Sequence, residues 1–349
     1  MKIVIKRVFM MMLAVALTAG FTSCSDDDDP AGVPGGDGTT APTSEWKAEG
    51  YYKGDIYDNG TANLWVNIIT ADMKYDSDEE DYIGPGHIIC LDFNTAIPEN
   101  PDFATLAEGD YSADDTHDSG TINIDGESFV TTYGPDGYEG SAEVTAGTVT
   151  VSRSGDLYVI DGTVTTDDGK ETKIRYVGRL TFYNRSTSGE MSNLTSDVTL
   201  TSLTQGVAMY AGQLFTETSD YYMLILAGAD YDLDENFGNA PSLSFGLNVT
   251  PGASDGIPTG TYDIIDVAEA DDYPVGTALS GFYEAAYGGY YGTWYFHSLD
   301  ALEAAVKSGT VKVTNKGNGS YDIEFNLRDG YGHTVKGSYS GPLALADVS

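Results

Sequence analysis

Carboxylates are the commonest reactive groups in this 349-residue sequence, with 54 Asp and Glu against 17 Lys and Arg. Two acidic runs have a spacing that suits a hard cation. Asp76-Ser77-Asp78-Glu79-Glu80-Asp81 and Asp230-x-Asp232-x-Asp234-Glu235 place side-chain oxygens at alternate positions, as a Ca2+-wrapping loop does. The second run has Glu235 where a tight Ca2+ loop needs Gly, and no Glu at the twelfth position. The expectation is therefore two solvated hairpin tips, with at most weak Ca2+ binding through Asp76, Asp78, Asp230, Asp232 and Asp234 and no other cofactor. The four histidines, His87, His117, His297 and His333, show no zinc-ligand spacing. No nucleophile elbow, P-loop or His-Glu-x-x-His motif occurs. Cys90 sits in the apolar run Ile88-Ile89-Cys90-Leu91 and reads as a small buried residue. Counting leaves open a hydrolase built on a carboxylate pair, but nothing selects two carboxylates, so the expectation is a protein that is not an enzyme. A cluster of rings supplies a different chemistry. Tyr283, Tyr287, Tyr290, Tyr291, Trp294 and Tyr295, with Phe282 and Phe296, are interleaved with Gly288, Gly289 and Gly292. Such rings can stack on sugar faces or grip a protein partner; equally, they can plug the end of a barrel.

A formal charge of −37 repels nucleic acid and anionic lipid surfaces, which excludes nucleic acid as a partner. Hydrophobic residues make up 41 % of the chain, too many for wholesale disorder. Abundant Gly, Tyr and Thr favour turn-rich β-structure. Two cysteines cannot build a disulfide scaffold.

The first residues carry an address. Lys2, Lys6 and Arg7 precede the apolar run Val8 to Ala19, which is too short to span a bilayer and right for a signal peptide over 1–23. Phe21-Thr22-Ser23-Cys24 resembles a bacterial lipobox. That resemblance implies cleavage before Cys24 and acylation of Cys24, so that the membrane partner is reached through lipid rather than a spanning helix. Ser25-Asp26-Asp27-Asp28-Asp29 resembles the acidic export signal of surface-exposed lipoproteins in Bacteroidetes, which implies an outer-membrane protein facing the cell exterior. Residues 24–44 continue into a Pro/Gly/Thr-rich stretch that reads as a tether.

The elements that must carry these groups come from an internal repeat. Gly147-Thr148-Val149-Thr150-Val151 recurs as Gly309-Thr310-Val311-Lys312-Val313. The match continues through Tyr158/Tyr321, Ile160/Ile323, Lys173/Lys336, Tyr176/Tyr339, Gly178/Gly341 and Leu180/Leu343. Upstream it runs through Gly54/Gly212, Asp72/Asp230, Leu91/Leu243, Phe93/Phe245 and Gly109-x-Tyr111/Gly260-x-Tyr262. Matching order over so long a stretch predicts two copies of one domain, at 45–183 and 206–349, joined by a linker at 184–205 that contains a strand-like Val198-Thr199-Leu200. Within each copy the apolar period is two, as in Tyr321, Ile323, Phe325 and Leu327. The fold class is all-β: two tandem antiparallel up-and-down barrels, with β-sandwiches as the alternative. One short helix is predicted over Ser298–Lys307, from the cap Ser298 and the face Leu299, Leu302 and Val306. The repeat, with its Gly-Thr-Val-x-Val strand and terminal Gly-x-Leu strand, resembles the calycin-like, lipocalin-like barrels of Bacteroidetes lipoproteins.

The functional expectation is a cell-surface, non-catalytic binding or interaction module for a glycan, peptide or small ligand. The alternative is a structural accessory subunit of an outer-membrane assembly, favoured if large side chains plug both barrels. A fatty-acid analogue fed to cells should label the wild-type protein and not Cys24→Ala; label persisting in the variant would refute acylation at Cys24.

Overall fold

The computed structural model describes residues 46–76, 81–135, 137–233, 237–284 and 289–349. The signal peptide, Cys24, Ser25, Asp26, Asp27, Asp28, Asp29 and the rest of the tether lie outside them, as do Asp78, Asp234 and Tyr287. The described chain is all-β and forms two compact units that part between Gly189 and Glu190.

In the first unit the strands are β1 (Lys47–Gly54), β2 (Thr61–Ile69), β3 (Lys74–Asp76), β4 (Asp81–Ile83), β5 (Gly86–Ala96), β6 (Gly109–Asp114), β7 (Thr121–Asn123), β8 (Phe129–Gly134), β9 (Gly137–Ser154), β10 (Leu157–Thr166), β11 (Glu171–Gly178) and β12 (Phe182–Asn184). Ten of them form one sheet in the order β11-β10-β9-β6-β7-β5-β2-β1-β12, with β8 bridging β5 and β9. The strand that begins as β11 against β10 resumes as β12, parallel to β1, and so draws the sheet round into a small barrel. The meander is interrupted twice by parallel pairing, β6 with β7 and β1 with β12.

The second unit repeats this plan. Its strands are β13 (Val198–Leu200), β14 (Leu203–Tyr210), β15 (Asp220–Gly228), β16 (Tyr231–Asp232), β17 (Phe237–Gly238), β18 (Ser242–Val249), β19 (Gly260–Ile265), β20 (Thr277–Leu279), β21 (Phe282–Glu284), β22 (Gly289–Tyr291), β23 (Trp294–His297), β24 (Leu302–Gly317), β25 (Ser320–Asp329), β26 (Thr334–Pro342) and β27 (Ala344–Asp347). The order β26-β25-β24-β19-β20-β18-β15-β14-β27 matches the first unit strand for strand, β23 takes the place of β8, and β13 adds to the outer edge of β26. The expected linker is thus partly sheet: β12 closes the first unit and β13 borders the second.

Alternation fills each interior with one contiguous apolar cluster. Leu64, Val66, Leu91, Phe93, Val149, Tyr158 and Ile160 are buried in the first, and Leu224, Phe245, Leu247, Val311, Tyr321 and Ile323 in the second. Packing is conserved by compensation. Gly162 faces Ile174 in the first unit, whereas Phe325 faces Gly337 in the second, so the large and small partners change sides.

Two expectations need correcting. The hydrogen-bonded register makes Asn94 and Asn248 equivalent: each donates its amide to a Thr hydroxyl across the ladder, Thr121 or Thr277, at 2.9 Å. Phe93 therefore matches Leu247 rather than Phe245, and Leu91 matches Phe245. A slip of two keeps every side chain on its face, which hides it from a pattern of period two. The predicted helix over Ser298–Lys307 is only a 3-10 turn, Ser298–Asp300, ended by Ala301 in the left-handed region at φ 52°. From Leu302 the chain is strand: Ala304 and Val306 enter the main core while Ala305 enters a second cluster, and burial on both sides overrides helical spacing.

Gly309 shows why the repeated Gly-Thr-Val strand begins with glycine. Its φ is +124°, and a Cβ there would stand 2.3 Å from the carbonyl oxygen of Asn326. Gly309→Ala is expected to cost about 2–4 kcal/mol in thermal or denaturant unfolding. Gly317→Ala, at φ +81° with open space around it, should cost only about 1 kcal/mol. Equal costs would show that the crossing is not tight.

Candidate functional site

The sequence-predicted ring cluster folds largely inward. Trp294 is fully buried, Tyr290 and Tyr295 are buried, and Tyr295 belongs to the main core. Tyr290 and Trp294 form a satellite cluster with Ala305, against which Tyr283 and Phe296 pack. Tyr290 meets Trp294 edge-on at 4.8 Å, and the indole N–H of Trp294 donates to the carbonyl of Tyr291 at 2.8 Å. Tyr290, Trp294 and Tyr295 therefore offer no ring face to a ligand; Tyr283 and Tyr291 stay partly exposed on the β21–β22 ribbon, where Phe282 stacks on Tyr291 at 5.3 Å.

The described acidic candidates lie on two short hairpins. Asp76 ends β3, while Asp230 and Asp232 are exposed at the β15–β16 turn and on β16. Among the described residues no three His, Cys, Asp or Glu gather as metal ligands.

A different constellation lies on the outer face of the first unit. Residues that alternate with the core on β12, β1, β2 and β5 meet in one row across the ladder: Tyr183, Tyr51, Trp65 and Asp92. The three rings are partly exposed and Asp92 is buried. Arg185 lies 5.3 Å over the Tyr183 ring, and the Lys53 ammonium lies 4.3 Å over Trp65. Asp92 is held by amides. Asn63 Nδ2 lies 3.2 Å from both carboxylate oxygens and 2.9 Å from Asn94 Oδ1, and Asn123 Nδ2 lies 3.3 Å from Asp92 Oδ2. Asn123 also donates to the Tyr57 hydroxyl, and the Tyr57 ring stacks at 3.8 Å on His117, which is itself in the left-handed region. Burial raises the Asp92 pKa to about 6, against the opposing amide hydrogen bonds. Burial raises Glu49, two residues before Tyr51, to about 7, although the Tyr51 hydroxyl donates to it at 2.8 Å. Burial also lowers Lys53 and pushes the Cys90 thiol up to about 12, so Cys90 is no thiolate nucleophile.

The second unit is an internal control. Its equivalent row is Ala346, Met209, Met223 and Gly246. The position of Asn63 is Tyr221, whose hydroxyl lies 2.5 Å from where a Gly246 Cβ would stand. Leu279 replaces Asn123, Phe215 replaces Tyr57, and Tyr273 replaces His117. The same strands thus carry partly exposed rings over a caged carboxylate in one copy and, in the other, two methionines with a buried tyrosine covering a glycine. Reading the sequence locally missed the row because its members come from positions 51, 65, 92 and 183. Superposing the two copies would have found it, since Tyr51/Met209 and Trp65/Met223 are each 158 residues apart.

Compared with known protein families, curated proteins and solved structures, the chain matches none of them.

The raised carboxyls set the sign of a pH effect. Glu49 and Asp92 bind protons more tightly folded than unfolded, so their contribution is fully present below pH 4 and is lost as pH rises towards 6 for Asp92 and 7 for Glu49. The loss is on the order of 3 kcal/mol each. Calorimetry in high salt, which screens the overall negative charge, should give a higher Tm at pH 5 than at pH 8. The double variant Glu49→Gln, Asp92→Asn should flatten that slope; an unchanged slope would contradict the assignment.

Proposed function

We propose that this protein is a bacterial surface lipoprotein, anchored to the outer membrane through Cys24 and carried to the cell exterior by the Ser25–Asp29 signal. It acts as a non-catalytic binding module that takes a glycan on the outer face of its first, calycin-like barrel. The contrast between Tyr183-Tyr51-Trp65-Asp92 and Ala346-Met209-Met223-Gly246 carries this reading. Burying a polar network is often neutral or worse for stability than packing apolar groups of similar volume. The second copy has apolar filling in the same framework, so the polar version is better explained by use than by folding. Partly exposed rings on one face, with Lys53 beside Trp65, suit the C–H faces of sugar rings, and the buried amides and carboxyls beneath them hold that face in place.

The large buried side chains inside both units support a second reading, a structural accessory subunit of an outer-membrane assembly. A glycan array probed with the soluble mature chain separates the two. The first reading expects discrete glycan binding, at least tenfold weaker in Tyr51→Met, Trp65→Met, which installs the residues of the second copy. Failure to bind any glycan, or binding untouched by these changes, would favour the accessory role.

A further inference from the structure

The Asn63 side chain is fully buried, and its Oδ1 has no hydrogen-bond partner. Its orientation is nevertheless fixed. Asn94 turns Oδ1 towards it, because Asn94 Nδ2 is spent on Thr121 Oγ1, whose own proton goes to the carbonyl of Asp118. Asp92, when ionised, presents only acceptors. Asn63 must therefore point its amide nitrogen at both, and its oxygen is left over. A buried acceptor without a partner costs roughly 1–3 kcal/mol, and the ionised state of Asp92 imposes that arrangement.

We propose that Asp92 and Asn63 form a proton-operated latch on the outer face of the first unit. When a solvent proton binds Asp92, the new O–H needs an acceptor, and Asn63, already bonded to Asp92, carries one without a partner, Oδ1. The Asn63 amide turns over and accepts from Asp92, and Asn94 Oδ1 loses its donor and faces Asn63 Oδ1, so that the Asn94–Thr121 link is strained in turn. At the same time Asp92 loses the charge that strengthens its bond from Asn123. Asn123 links Asp92 to Tyr57, and Tyr57 stacks on His117, so the change reaches two surface loops. The ionisable groups around the latch are Lys53 on β1, Tyr57 and His117 on the loops, Cys90 on β5, and Asp125 and Glu127 after β7. Glu127 favours the protonated state of Asp92 by repulsion. The second unit has Gly246 and Tyr221 at the latch positions and can carry no such device. This inference does not depend on the glycan reading.

The test follows the Asn63 side-chain amide and Trp65 indole resonances of the mature chain by NMR from pH 8 to 4.5. The indole N–H of Trp65 is buried near the Asp92 carboxyl and is a local reporter. Both signals should titrate together with a midpoint near pH 6. Asp92→Asn should abolish the titration. Glu127→Gln, a change at a partly exposed residue, should move the midpoint to lower pH with the fold intact. Signals that stay fixed across this range, or a midpoint indifferent to Glu127→Gln, would overturn the latch.

Discussion

A small closed sheet must fill its own interior, and the rest of this structure follows from that constraint. Every strand residue points either into the barrel or out of it. The inward set is pinned by volume: where the second unit puts Phe325 against Gly337, the first answers with Gly162 against Ile174. Tyr176 and Tyr339 each donate to a carbonyl three residues on, Arg179 or Pro342, at the break where the last strand leaves one edge and joins the other. Inside, the copies exchange one large core residue for another, as at Leu91/Phe245 and Phe93/Leu247, whereas outside Trp65/Met223 and Asp92/Gly246 change the chemistry of the face.

That outer face carries opposite solutions on matching strands. In the second unit the Tyr221 ring covers Gly246 and packs edge-on against Phe215 at 4.9 Å, a largely apolar arrangement with its donors and acceptors kept few. In the first unit Asp92, Asn63, Asn94 and Asn123 are all fully buried and bonded to one another. Such a network is stable only while nearly every member is satisfied, and here Asn63 Oδ1 and Glu49 Oε1 are not. Perturbed carboxyls, a half-buried lysine and partly exposed rings on one face form the kind of cluster that marks functional sites more often than structural ones.

Much of the fold was legible because period-two alternation and Gly-rich turns are local signals. The Gly147 and Gly309 repeat and the strand at Val198 could both be read directly. The second copy has one residue more between Val313 and Tyr321 than the first has between Val151 and Tyr158, and a bulge between Asn315 and Gly317, beside the hairpin tip, absorbs it. What failed were the readings that need ladder partners. The two-residue slip at Phe93 keeps the same alternation, and Leu302 to Val306 has a helical spacing that burial on both faces overrides. The ring cluster at 282–296 drew attention because its members are neighbours in sequence, yet that closeness reflects a satellite core. Tyr51, Trp65 and Tyr183 were invisible as a group, because only pairing of β12 with β1 and of β1 with β2 brings them into line.

The three tryptophans stand at three distinct places: Trp46 leads into β1, Trp65 is in the outer row and Trp294 is in the satellite core. Their indole N–H resonances give the most direct test of where ligand binds. A panel of neutral oligosaccharides titrated into the protein should shift the Trp65 resonance saturably while that of Trp294 stays in place. A saturable shift at Trp294 with Trp65 unmoved would place the site in the second copy and contradict the account.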